Sequence, residues 1–73
     1  MLTEQDRSDL VTAGLAIVEA RAALTEAVRS RHRLWADLCE DNTQAEVARA
    51  CGVLRQAVAQ GVDRVRTEAL PRA

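Results

Sequence analysis

Arg55, Gln56, Gln60 and Arg64 are long-armed polar side chains, and a repeat of 3.6 residues brings Gln56 and Gln60 to one side of a single helix with the two arginines on its flanks. Arginine can bond both acceptors on a guanine edge, and glutamine can match an adenine edge with one donor and one acceptor. Gln56, Gln60, Asp63 and Thr67 fall opposite an apolar stripe of Val58, Val62, Val65 and Ala69, with Arg55, Ala59 and Arg64 on the flanks. Ala57 and Ala59 leave room for close approach and suit a thymine methyl. The chemistry expected of this face is therefore hydrogen-bond reading of bases in double-stranded DNA. No nucleophile with an adjacent base and no carboxylate pair suggests catalysis. Cys39 and Cys51 form no C-x-x-C pair, and the single His32 completes no metal spacing. Reduced, packed thiols are expected, with no metal and no cofactor.

The elements that must hold this face in place are short. Thr43 and Glu46 have the spacing of a capping box, which starts a helix at Gln44. Val47, Ala48 and Cys51 face inward at helical spacing, and Gly52 follows where a positive φ ends the helix after about two turns. Val53 plugs the turn. A second helix runs from about Leu54 or Arg55, and Pro71 closes it.

Ahead of this pair the periodicity predicts one long helix. Thr3 with Asp6 is a variant capping box, and no strong breaker follows for more than thirty residues. Leu10, Ala13, Ile17, Ala20, Leu24, Ala27, Arg31, Leu34 and Leu38 alternate in steps of three and four, the seam of a helix that packs lengthwise on another. Only Arg31 interrupts it. Val11, Leu15, Ala16, Val18, Ala22 and Ala23 extend the apolar surface around much of the remaining circumference, more than a small monomer can bury. Self-association through Leu10, Gly14, Ile17, Leu24 and Val28 is expected, as a homodimer or a four-helix contact, with a hairpin folding back on the same chain as the alternative.

Ser30 to Arg33 is the least apolar part of this half, and the sequence leaves open whether the helix runs straight through it. Arg29, Arg31 and Arg33 read either as a solvated face or as phosphate contacts, with His32 exposed among them. Leu34, Trp35, Leu38 and Cys39 should form an inner face, with Trp35 as the bulky anchor between three helices; stacking on a base is the second reading of Trp35. Glu40, Asp41 and Asn42 then make a turn.

With 73 residues the chain is one domain, divided into residues 1–33 for self-association and residues 34–73 for the DNA-binding unit. Its apolar residues are mostly Ala, Leu and Val, with Trp35 the sole aromatic, a composition that fits an all-α fold. A monomer this small would be only marginally stable. The formal charge is −1, yet residues 1–42 carry five Arg against eight acids and residues 43–73 carry five Arg against three, so the second half is mildly basic. The N-terminus lacks the basic-then-apolar order of a signal peptide, and Glu19, Arg21 and Glu26 break the most apolar run. A cytoplasmic protein without a membrane segment is expected.

Residues 43–60, TQAEVARACGVLRQAVAQ, resemble the helix-turn-helix of phage-repressor and Cro-like transcription regulators. Family members commonly read Q-x-x-[LIV]-A-x-x-x-G-V-[ST]-x-x-x-[VI], matched by Gln44, Val47, Ala48, Gly52, Val53 and Val58. The resemblance covers about a quarter of the chain and implies that Gln44 contacts phosphate while Arg55, Gln56 and Gln60 read bases. Region four of sigma factors carries a similar motif and a similar Arg-rich helix, here Val62 to Arg66, but its usual companion domains are absent. Leu54 departs from the pattern, since it replaces the Ser or Thr that caps the second helix and touches phosphate; it would instead enlarge the core or a partner contact. Gly61, inside a helix, would relieve crowding against another helix or mark a bend.

Together these features imply a long N-terminal helix followed by a tri-helical helix-turn-helix unit. The expected function is that of a homodimeric, sequence-specific transcriptional regulator, with two recognition helices about 34 Å apart on successive major grooves. The competing expectation is a protein-interaction module, an antitoxin or anti-regulator, whose long apolar helix clasps a partner protein.

Overall fold

Thr3 and Asp6 start the first helix by satisfying each other's backbone: Asp6 N–H donates to Thr3 Oγ1 at 3.0 Å, and Thr3 N–H donates to Asp6 Oδ2 at 2.9 Å. The computed structural model describes residues 1–69 and gives α1 (Glu4–Leu38), α2 (Gln44–Cys51) and α3 (Arg55–Ala69), with no strand among them. The expected stop at Pro71 lies outside the described residues.

α1 runs through Ser30 to Arg33 without a break, so the division at residues 33 and 34 falls inside one continuous helix. At 1.5 Å per residue it is about 52 Å long. Asn42 ends it by turning both its backbone N–H (3.0 Å) and its side-chain amide (2.9 Å) onto the Leu38 carbonyl. α3 folds back against its C-terminal third and also packs on α2, so that α3 joins the other two helices.

The core is small: Trp35, Val47, Ala48, Val58 and Val62 are buried, with Ala36, Cys39 and Val53 packed around them. Trp35 fills the space between the three helices, and its indole N–H donates to Cys51 Sγ at 3.2 Å. Gly61 is buried beneath it because a Cβ there would lie 2.7 Å from His32 Cδ2 and 2.7 Å from Trp35 Cε3. The crowding that the helix-interior glycine suggested is therefore the geometry found.

Several expected orientations are corrected. Leu34 and Leu38 stay exposed, and Trp35, Ala36 and Cys39 form the inner face, because α3 lands on the stripe one step further round α1. His32 is half-buried against Trp35, with ring centroids 5.4 Å apart, rather than exposed. Cys51 is exposed, although its sulfur accepts the Trp35 bond, and Ala69 is exposed at the groove it lines with Leu24 and Val28 of α1. Val28 is half-buried and lines a groove with Val65 of α3, so it is partly used within the chain rather than held free for a partner.

No hairpin forms over the first two thirds of α1. Leu10, Val11, Leu15, Ile17, Val18 and Leu24 are all exposed, each by more than half. The radius of gyration, 18.8 Å, is accordingly far above the value of about 11 Å for a compact domain of this length. No helix among the described residues is long and apolar enough to cross a membrane.

Candidate nucleic-acid interface

The polar face is positioned by two local devices and one packed contact. Thr43 Oγ1 accepts from Glu46 N–H at 3.1 Å, which fixes the start of α2 and so the place of Gln44. The forward half of the expected capping box is thus formed. At the other end Gly52 adopts φ 71° and ψ 28°, the left-handed region, and Val53 N–H reaches back to the Ala48 carbonyl at 3.1 Å. This closure satisfies a carbonyl the helix leaves unpaired and turns the chain sharply into α3. Val58 and Val62 then bury one side of α3 against Trp35, Val47 and Ala48, which leaves the opposite side to solvent.

Between α2 and the exposed side of α3, half-buried Gln44 lines one open depression with Gln56, Ala59 and Gln60, together with Val62, Asp63 and Arg66. Four of the six expected contact residues are therefore brought together, from two different helices. Ala59 is half-buried at the floor, whereas Gln56 and Gln60 are exposed. Arg55, at the first position of α3, is exposed outside the depression. Arg64 is exposed on the other flank, in a recess shared with Arg31, His32, Trp35 and Gln60.

Arg66 is a residue the sequence reasoning left out of the site. It stands two helical turns after Ala59, and the same periodicity that grouped Gln56 with Asp63 would have found it. Arg31, one of the three arginines read as a solvated face or as phosphate contacts, lines the recess beside Arg64. Its guanidinium carbon lies 4.5 Å from the Trp35 ring centroid, a cation–π contact that also covers the edge of the core. Arg33 is committed elsewhere, to Glu26 at 3.0 Å.

Leu54 is 76% exposed, so it does not enlarge the core. Its carbonyl accepts from Ala57 N–H at 2.9 Å, which opens α3, but its side chain caps nothing. The first turn of α3 therefore keeps unpaired N–H groups that face outward beside Arg55.

In chemical terms the face offers amide groups that can both donate and accept, guanidinium groups that only donate, and one carboxylate, Asp63. No group of three or more metal-ligating side chains occurs among the described residues. No protein-family model, curated protein or solved structure matches the chain.

Proposed function

We propose that the chain is a small, homodimeric, sequence-specific DNA-binding regulator whose α2, turn and α3 act as a helix-turn-helix, with α3 in the major groove. The observation that carries this reading is the convergence of half-buried Gln44 from α2 with exposed Gln56 and Gln60 from α3 at one open depression, on two helices joined by the left-handed turn at Gly52. Gln44 at the start of α2 would contact phosphate. Arg55, Gln56 and Gln60 would read base edges, and Ala59 would allow the backbone to approach. Asp63 can accept from the amino group of cytosine, and it repels phosphate wherever no such donor faces it. Arg64 and Arg66 would hold the backbone on either side.

Selection from a randomised duplex pool tests this directly. An enriched sequence is expected, with a log-log salt slope of about −0.9 for each phosphate neutralised. Arg55→Ala should weaken the selected site by about 1–3 kcal/mol and affect bulk DNA less. Equal loss on every sequence would reject base reading by Arg55, and a pool without enrichment would reject the regulator.

The exposed apolar length of α1 favours a second reading, a module that clasps a different protein. Size in solution separates the two: a monomer points to a foreign partner, a homo-oligomer to self-pairing.

A further inference from the structure

The α1 seam is free, and it has an order. Asp6, Leu10, Ala13, Ile17, Ala20, Leu24, Ala27 and Arg31 occupy successive seam positions, and all of them are exposed. From Leu10 to Ala27 large and small residues alternate strictly, flanked by one anion, Asp6, and one cation, Arg31, whose guanidinium also rests on the Trp35 ring, while Leu34 and Leu38 continue the seam beyond the alternation. α3 covers the stripe of Val28, His32 and Trp35 instead, and so leaves the seam open beside it.

From this order we infer that two copies of the chain pair through α1 in antiparallel fashion, in a register that sets Asp6 of each against Arg31 of the other. Resting on the homodimer reading above, the inference adds orientation and register. In that register Leu10 meets Ala27, Ala13 meets Leu24, and Ile17 meets Ala20 of the second copy. Every layer thus joins a large side chain to a small one, which permits close, even packing along the whole overlap. Both ends carry opposite charges.

A parallel, in-register pair does the reverse. It stacks Asp6 on Asp6 and Arg31 on Arg31, and it alternates Leu or Ile layers that are too wide with Ala layers that are too narrow. A polar residue at a seam position is a known device for fixing register, and here the two polar positions are complementary only when the chains run in opposite directions. The two-fold axis then crosses α1 near Val18 and Glu19, a closed and self-complementary arrangement. Val11, Leu15 and Val18 remain on the outer side, where a second pair can dock, so particles of two or four chains both contain the unit.

The arrangement places the two DNA-binding units at opposite ends of a rod. At 1.5 Å per residue the Trp35 anchors stand about 50 Å apart along it. This exceeds the spacing of successive major grooves, about 34 Å.

Small-angle scattering of the unmodified chain is the first test. Its mass reports whether the chain self-associates, and because the paired α1 helices would be only about 8 Å longer than one, the orientation is read from spin labels. The second test is a nitroxide at Ser8→Cys in a Cys39→Ala, Cys51→Ser background, where the introduced hydroxyl retains an acceptor for the Trp35 indole N–H. The axial offset between the two labels is about 32 Å in the antiparallel register at 1.5 Å per residue, and the labels are side by side in a parallel pair. Third, Asp6→Arg and Arg31→Asp should weaken self-association about tenfold more than Asp6→Asn and Arg31→Gln, which lose the same contacts within the chain, the cap on Thr3 and the stacking on Trp35. The double exchange should bind more tightly than either charge reversal. Short label distances, no rescue by the double exchange, or a monomer at micromolar concentration would each overturn the inference. None of these results bears on sequence selection by the α2 and α3 face, which the duplex pool tests separately.

Discussion

Replacing Gly61 by Ala sets helix propensity against close packing, and the structure decides which prevails. The propensity term favours Ala by about 0.5–1 kcal/mol in a helix interior. Against it, the new Cβ would lie 2.7 Å from His32 Cδ2, 2.7 Å from Trp35 Cε3 and 3.0 Å from Trp35 Cζ3. His32 is only half-buried and can move. Trp35 cannot, because it is 1% exposed, packs on Val58 and Val62, and is tied through its N–H to Cys51. Forcing an added carbon into such a site costs about 1–3 kcal/mol, so the net effect should be a loss of about 1 kcal/mol.

Gly14→Ala supplies the reference at a concentration where the chain is monomeric, since a Cβ there meets nothing of its own chain within 4 Å although Gly14 lies on the face expected to self-associate. It should gain about 0.5–1 kcal/mol from propensity alone. The two variants should thus differ by about 2 kcal/mol, or roughly 8–16 °C in Tm for a domain of this size. Thermal and urea melts at one fixed protein concentration measure the difference, with far-UV circular dichroism for the helices and Trp35 fluorescence for the core. If Gly61→Ala melts with or above Gly14→Ala, the seat of Trp35 on Gly61 is wrong, and the packing of α3 on α1 must be redrawn.

Two further outcomes follow from local contacts. Cys51→Ala removes the acceptor from the indole N–H of buried Trp35 and should cost about 1–3 kcal/mol, while Cys51→Ser should recover most of it; equal urea midpoints for the two would show that the bond does not matter. The backbone N–H and side chain of Thr3 hold the Asp6 carboxyl below its ordinary pKa of 3.8, so its contribution to helix stability is present above that value and lost as pH falls through the lowered one. Helicity titrated from pH 5 to pH 2 should therefore fall more in the unchanged chain than in Asp6→Asn, and identical curves would refute the cap.

What the sequence determined by itself was local. Thr3 with Asp6, Thr43 with Glu46 N–H, and Gly52 with the Ala48 carbonyl are contacts within a few residues, and each marks a helix end where the spacing predicted it. The buried role of Val58 and Val62, and the exposed role of Gln56 and Gln60, were legible for the same reason: α3 has a single apolar stripe. α1 has more than one, and periodicity cannot say which of them a neighbour will cover. Only the landing of α3 decided that Trp35, Ala36 and Cys39 turn inward while Leu34 and Leu38 do not, and that His32 closes over Gly61. Those choices depend on the angle at which two helices cross, a property of side chains distant in sequence that meet only when the chain is folded.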